Sequence, residues 1–326
     1  MIHSKRDYQF DTIKGVMVFF VVVLHAIASF YTNWDENLFL SYPRFFMMTS
    51  TMPVLIFISG YFSKRKGDYE TYIIKALKRC LIPFLVFNFI YGLPSIEALN
   101  FFSARWTLWY LISLFWWKLI VEAAIKIRFS LLIALLITLI EGLFPLSMNL
   151  SLSRTIGYFP FFLAGYLCDS EGIRRMREAK KVFTLAAFLI ALVIVGVFIK
   201  VGAHSFNPYF TKSYEEMGQS LLQGIMLRIA VLIVGFLFIF VFFSIIPARK
   251  SIFTTFGMYS IVIYLGHSAI LKVLSSLNII NISSPYVLFG FTLLFALALC
   301  FALGNRKVSQ LYQTVMEKIC ALILVK

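Results

Sequence analysis

Charged residues are scarce in this chain, and carboxylates are scarcer than cations. Only 14% of the 326 residues are Asp, Glu, Lys or Arg, whereas 60% are apolar and the mean hydropathy is +0.87. Soluble globular domains carry about a quarter charged residues, which excludes an ordinary soluble fold. The net charge of +15 would favour nucleic acid as a partner for a soluble chain. In a chain this apolar, membrane topology explains the basic residues better, so we expect membrane lipids and no nucleic acid as partners.

Cysteines are few, and the common metal and nucleotide motifs are missing. The four cysteines fall toward the predicted cytoplasmic ends of the apolar runs or in the C-terminal tail, and none lies in an outer loop, so we expect no disulfide. They form no Cys-x2-Cys pair, so we expect no zinc site. No helical stretch carries two histidines at zinc-binding spacing, and no Gly-rich loop precedes a Lys-Ser or Lys-Thr pair. The sequence therefore predicts no metal cofactor and no P-loop nucleotide site.

Long apolar runs dominate instead. Runs bounded by charge clusters, Pro or Gly fall near 12–31, 44–62, 80–98, 107–126, 129–147, 154–169, 182–201, 227–246, 252–274 and 284–304. A transmembrane helix needs about 20 such residues. We predict an all-α, polytopic integral membrane protein with about ten transmembrane helices. We expect a single transmembrane domain over 1–326 without a soluble domain, and a first span that is retained rather than cleaved as a signal.

The basic residues predict the orientation of these spans. Most Lys and Arg residues fall in alternate connecting segments, which include both termini and the strongly basic segment 63–79. By the positive-inside rule, both termini then lie in the cytoplasm. We expect the protein in the cell membrane, and specifically in a bacterial plasma membrane.

Two polar side chains stand out in the first apolar run. Lys14 lies at its entrance and His25 lies eleven residues further on, about 16 Å away along a helix axis. An ionisable group at that depth is costly and is presumed functional. The reference pKa of histidine, about 6.5, suits this residue type to act as a general base, although a backbone carbonyl could also satisfy the His25 ring. Lys14 could simply extend to the headgroups, and Asp11 lies where a helix N-cap belongs, on the same side as Lys14.

The Lys14-x10-His25 motif resembles the Arg/Lys-x10-His signature that opens membrane acyltransferase family 3, especially its fucose-4-O-acetylase-like branch. Further segments are similar to family segments, among them the Ser-Gly-aromatic end of the second run and the basic entry to the third. These segments are 57–62, 78–84, 106–111, 154–166 and 259–267. Together they span most of the chain.

The resemblance implies transfer of an acyl group, usually acetyl from cytoplasmic acetyl-CoA, to a hydroxyl of a cell-surface glycan or its lipid-linked precursor. His25 would be the general base, or a transient acyl carrier. Cations on the cytoplasmic side could bind the phosphates of coenzyme A, and a glycine would let the backbone approach its pantetheine arm. The candidate donor-binding residues are Lys14, Ser59, Gly60, Lys78 and Arg79.

His267 lies about as deep in the ninth run as His25 does in the first, so the two rings and Tyr264 could face a common cavity. We group Asp11, His25, Tyr264 and His267 as candidate catalytic residues. His267 could orient the substrate, stabilise an oxyanion, or make a hydrogen bond between packed helices. Among the other charges inside spans, Lys118 and Glu122 are four residues apart and are expected to pair.

The acceptor side of the predicted site rests on three residues. Glu141 has no local partner and could meet either the acceptor sugar or a cation from another helix. Arg154, at the predicted outer end of its run, is a candidate for holding an anionic or hydroxyl-rich acceptor. Trp109 could stack on a sugar or belong to an interfacial aromatic belt.

A glycan or lipid-linked sugar exporter is the alternative, because helices with buried charges also suit a transporter. The halves of the chain show no convincing repeat, and the opening motif has a ready catalytic role. Consumption of a thioester would indicate the enzyme, whereas an acceptor that crosses the bilayer unmodified would indicate the exporter.

Overall fold

The computed structural model describes residues 6–31, 37–93, 100, 102–146, 150–201, 208–277, 280 and 282–324. That part of the chain is α-helical and contains no β-strand, in agreement with the predicted fold class. The helices are α1 (Tyr8–Phe30), α2 (Leu38–Tyr61), α3 (Tyr69–Ala76), α4 (Ile82–Gly92), α5 (Trp109–Ala124), α6 (Ser130–Glu141), α7 (Leu152–Leu167), α8 (Ser170–Arg177), α9 (Lys181–Val201), α10 (Leu221–Ile245), α11 (Ile252–Met258), α12 (Ser260–Ser276), α13 (Pro285–Leu303) and α14 (Arg306–Ile323).

Each predicted apolar run falls on one or more of these helices, but the predicted count of ten membrane spans is not confirmed. Within the described ranges, five helical segments are long and apolar enough to cross a membrane: Tyr8–Phe30, Trp106–Ala124, Lys181–Lys200, Leu221–Ile245 and Pro285–Leu303. The pair α11 and α12, bent by 82°, would make a sixth. These segments support a multi-pass membrane protein, and its orientation stays a prediction.

Length and polarity explain why other predicted runs do not form helices that are long and apolar enough to cross a membrane. Helices α6 and α7 contain 12 and 16 residues, fewer than the about 20 that a perpendicular crossing requires. Helix α2 has 24 residues, but its Ser, Thr, Pro and Arg residues reduce its mean hydropathy. A predicted run can therefore fail as a membrane span for two reasons: its helix is too short, as in α6 and α7, or it contains too many polar residues, as in α2.

Helix α1 begins earlier than predicted. Its N-cap is Asp7, whose side chain accepts a hydrogen bond of 3.1 Å from the backbone N–H of Gln9. The same carboxylate accepts a bond of 2.5 Å from Arg177 of α8. The prediction that Asp11 occupies the N-cap position is therefore wrong, because Asp7 satisfies the free N–H groups one turn earlier.

The third predicted run, 80–98, is not one regular helix. Helix α3 continues through a π-helical segment, Leu77–Leu81, directly into α4. Pro83 lies in the first turn of α4, and because proline has no N–H it interrupts the regular hydrogen-bond ladder there. The end of the run falls partly on residues 94–98, which lie outside the described residues.

The chain divides into two compact units. The first comprises residues 1–55, 170–196 and 237–313, and the second comprises 56–169, 197–236 and 314–326. In the first unit, α1, α12 and α13 share a core of fully buried apolar side chains, including Val22, Ile263, Leu288 and Ala296. A single transmembrane domain stays a prediction.

Helices α1 and α11 approach each other so closely that their backbones touch in the first unit. A Cβ atom at Gly15 would lie 1.8 Å from the carbonyl oxygen of Phe253, and one at Gly257 would lie 1.7 Å from that of Asp11. Only glycine leaves room for such an approach. Between them, the hydroxyls of Thr12 and Thr254 are 2.7 Å apart. This packing fixes the first half of α1.

Candidate functional site

Two imidazole rings meet inside the first unit. His25 of α1 and His267 of α12 are joined by a contact of 3.1 Å between Nδ1 of His25 and Nε2 of His267. The rings are nearly parallel, with centroids 5.2 Å apart and an interplanar angle of 29°. His267 is fully buried, and His25 is partly exposed. The similar depths predicted for these residues are thus realised as direct contact.

His267 also contacts three residues of its own helix. Its Nδ1 lies 2.9 Å from the carbonyl oxygen of Ile263, one turn earlier. The hydroxyl of Ser268 lies 3.3 Å from its Nε2. The ring of Tyr264 lies beside it, with centroids 6.3 Å apart. His267 therefore lies beside two of the other candidate catalytic residues, His25 and Tyr264.

The fourth, Asp11, belongs to a charged cluster at the start of α1. Its carboxylate is buried and accepts from Lys14 Nζ at 2.8 Å and from Arg6 Nε at 2.6 Å. Two cations share one carboxylate, so the cluster keeps one net positive charge. Because α1 is unbroken from Tyr8 to Phe30, Lys14 and His25 are separated by about 16 Å along its axis.

The structure gives Gly60 a role different from the one predicted. A Cβ atom at Gly60 would lie 2.0 Å from the carbonyl oxygen of Phe162 in α7, and one at Gly165 would lie 1.9 Å from that of Phe57. The space that a side chain at Gly60 would occupy is therefore filled by the backbone of α7, and contact of Gly60 with a pantetheine arm stays a prediction. The sequence could not distinguish the two roles, since both require a glycine.

The other donor-binding candidates of the second unit differ in exposure. The hydroxyl of Ser59, in α2, lies 2.5 Å from that of Tyr110 in α5. Lys78 and Arg79 are exposed within the π-helical segment that precedes α4. Their exposure is compatible with phosphate binding, which stays a prediction.

The predicted Lys118–Glu122 pair is wrong. Glu122 instead pairs with Arg65 at 2.9 Å and accepts a hydrogen bond from the hydroxyl of Tyr166. Lys118 donates to the hydroxyl of Ser63 at 2.7 Å. Neighbouring segments supply these partners, and spacing within one helix carries no information about them.

Glu141 meets a cation from another helix, one of the two alternatives open in the sequence. It accepts hydrogen bonds from Arg228 of α10 and from the hydroxyl of Ser153. Arg228 also donates to the carbonyl of Thr138 at 2.8 Å. Sequence reasoning missed this partner because the predicted run began at 227, whereas α10 begins at Leu221 and holds Arg228 well inside the helix.

Arg154 and Trp109 lie together in the second unit. The guanidinium carbon of Arg154 lies 5.1 Å from the centroid of the Trp109 ring. Trp109 also stacks on Tyr158, with centroids 5.3 Å apart and an interplanar angle of 23°. Trp109 is only 7% exposed, so in this structure its side chain packs against protein. Arg154 lines a small pocket together with Ala104, Ser151, Ser153 and Thr211.

These features define a helical, multi-pass membrane protein with two histidines in contact, one of which is fully buried. In the part of the chain that the structure describes, no three His, Cys, Asp or Glu side chains cluster as metal ligands would. A family model described as an acyltransferase domain, that of acyltransferase family 3, matches residues 7–305. The match covers nearly the whole chain, which therefore belongs to this family of membrane acyltransferases.

The match does not separate the fucose-4-O-acetylase-like branch from the rest of the family, and it gives the exporter alternative no support. Searches of curated proteins and of solved structures find no match to this chain. The comparisons therefore identify neither the acyl donor, nor the acceptor, nor the roles of individual residues.

Proposed function

We propose that this protein is an integral-membrane O-acyltransferase that moves an acetyl group from cytoplasmic acetyl-CoA to a hydroxyl of a cell-surface glycan or its lipid-linked precursor. Membership of the family supports acyl transfer. The observation that carries the proposal further is the contact between His25 and a second, fully buried histidine. Placing a titratable ring inside an apolar helix costs free energy, so such a ring is presumed to have a function.

In the proposed reaction, His25 acts as the general base. It takes the proton from the acceptor hydroxyl while the hydroxyl oxygen attacks the thioester carbonyl carbon. The new C–O ester bond forms, the C–S bond breaks, and His25 returns the proton to the departing thiolate of coenzyme A. In a variant, His25 itself carries the acyl group transiently.

The cluster at the start of α1 supports binding of the donor. Arg6, Asp11 and Lys14 together carry a net positive charge, which favours the phosphates of coenzyme A. An extended pantetheine arm is of the same order of length as the about 16 Å between Lys14 and His25. With the N-terminus in the cytoplasm, the nucleotide would stay at the inner surface while the thioester reaches His25.

For the acceptor, our candidate in the second unit is Arg154, which lines a small pocket together with Ser151, Ser153 and Thr211. Its hydrogen-bonding groups suit a hydroxyl-rich or anionic molecule. Since the carboxylate of Glu141 is occupied by Arg228 and Ser153, Glu141 would act through Ser153.

Transfer of label from radioactive acetyl-CoA tests the proposal. Membrane vesicles that contain the protein should move the label into glycan or lipid-linked material. His25→Ala should reduce this rate by about 100-fold or more at equal expression, the range typical of a lost general base. Ser29→Ala, which removes another polar group from α1, serves as the matched control. Undiminished transfer by His25→Ala would contradict both versions of the mechanism, and an acceptor that crosses unmodified would favour an exporter.

A further inference from the structure

The hydrogen bonds around His267 determine where its proton lies. A backbone carbonyl oxygen can only accept, so the 2.9 Å contact with the carbonyl of Ile263 requires a proton on Nδ1 of His267. A neutral imidazole carries one ring proton, which leaves a lone pair on Nε2. The hydroxyl of Ser268 also lies 3.3 Å from that nitrogen, and this longer contact requires no proton on Nε2, because a hydroxyl can donate as well as accept.

The proton position on His267 determines that of His25. Because Nε2 of His267 has a lone pair, the 3.1 Å contact with Nδ1 of His25 is a hydrogen bond only if His25 donates. Neutral His25 therefore carries its proton on Nδ1, and its basic nitrogen is Nε2. The opposite tautomer would set two lone pairs against each other.

We propose that His267 is a positioning residue that holds neutral His25 in the tautomer whose Nε2 can accept the proton of the acceptor hydroxyl. This inference rests on the proposed role of His25 as general base. When His25 takes up the proton, both of its ring nitrogens are protonated, and the bond from Nδ1 to His267 persists. His267 thus orients the base before the proton transfer and accepts a hydrogen bond from the imidazolium afterwards.

The surroundings keep His267 in this arrangement. Its ring is fully buried, and its Nδ1 is tied to Ile263, whose own side chain lies in the core of the first unit. A buried ring that is bonded on one side to its own helix cannot rotate without breaking that bond. The two consecutive hydrogen bonds, from His267 to the Ile263 carbonyl and from His25 to His267, therefore fix the orientation of the base.

Three substitutions at His267 separate orientation from mere packing. In His267→Gln, an amide oxygen can replace Nε2 as acceptor for Nδ1–H of His25. In His267→Asn, the shorter amide can keep the contact with Ile263 but does not reach His25. In His267→Phe, the ring shape is retained and both bonds are lost.

The measurement is label transfer from radioactive acetyl-CoA in vesicles with matched amounts of folded protein. We expect His267→Phe and His267→Asn to lower kcat by about 10- to 100-fold with an unchanged KM for acetyl-CoA, and His267→Gln to recover most of the rate. Equal losses in all three variants, or full activity in His267→Phe while His25→Ala is inactive, would overturn the inference. Transfer that does not depend on His25 would instead refute the proposed role of His25 as the general base, and the absence of label transfer by the unsubstituted protein would refute the proposed function.

Nitrogen-15 NMR of histidine-labelled, unsubstituted protein gives an answer that does not depend on whether the variants fold. The expected spectrum assigns the ring proton of neutral His25 and of His267 to Nδ1. A proton on Nε2 of neutral His25 would overturn the inference.

Discussion

Glu141 of α6 and Arg228 of α10 form an ion pair that is almost completely buried, with side-chain exposures of 2% and 5%. Arg228 makes further bonds to the carbonyls of Thr138 and Lys212, at 2.8 and 3.1 Å. The rings of Phe210 and Tyr214 lie within 5.5 Å of its guanidinium carbon. Such a pair holds α6 and α10 together only while both charges are present, because either one alone would be buried without compensation.

The first prediction concerns this pair. Arg228→Met should lower the free energy of unfolding by about 3–5 kcal/mol, because it leaves the buried Glu141 carboxylate without a compensating cation. The double variant Glu141→Gln with Arg228→Met should recover part of the loss, because it buries no charge. Thermal unfolding in detergent measures both. An Arg228→Met variant as stable as the unchanged protein would show that Glu141 is not held as the structure indicates.

The second prediction concerns the contact of α1 with α11. Gly15→Ala should lower the amount of folded protein, because the new methyl group would lie within 2 Å of the Phe253 carbonyl oxygen and must push the helices apart, typically at about 1–3 kcal/mol or more. Gly290→Ala in α13 is the matched control, since its Cβ would meet no atom within 4 Å. Size-exclusion profiles and melting temperatures compare the two. Equal behaviour would contradict the close approach.

The central site was partly predictable because its signals are local. Helix α1 follows from an uninterrupted apolar run, and the spacing from Lys14 to His25 follows from helical geometry. The contact between His25 and His267 agrees with their matching depths. That argument compares two distances along helix axes and needs no knowledge of side-chain partners.

The partners of buried charges were not predictable in the same way. Glu122 lies four residues from Lys118, yet it bonds Arg65, which is distant in sequence. The predicted run began at 227, which put Arg228 at a helix end. Apolar runs are recognised by their hydropathy, and polar residues in the first turns of α10 lower the hydropathy there. The 82° break between α11 and α12 also went unrecognised, because both sides of it are apolar and no proline marks it.

The third prediction tests Lys14 as a ligand of the donor. Lys14→Gln should raise the KM for acetyl-CoA by about 10-fold or more and leave kcat nearly unchanged. This factor corresponds to the binding free energy of one charge-assisted hydrogen bond. Lys181→Gln, at an exposed lysine of the same unit, should have no effect. Acetyl-pantetheine, which lacks the phosphates, should be used equally well by Lys14→Gln and the unchanged protein. A loss with both donors would assign Lys14 to stability of α1 instead.

The last prediction separates helix packing from donor binding at Gly60. Gly60 and Gly165 face each other's helices in the same way, with Cβ positions 2.0 and 1.9 Å from the opposing carbonyl oxygens. Gly60→Ala and Gly165→Ala should therefore reduce folded protein to a similar extent, and the folded fraction of each should keep the same KM for acetyl-CoA. Gly196→Ala, in open space, provides the baseline. If Gly60 instead lay against the pantetheine arm, Gly60→Ala alone would raise that KM, because only there would the added methyl group meet the donor.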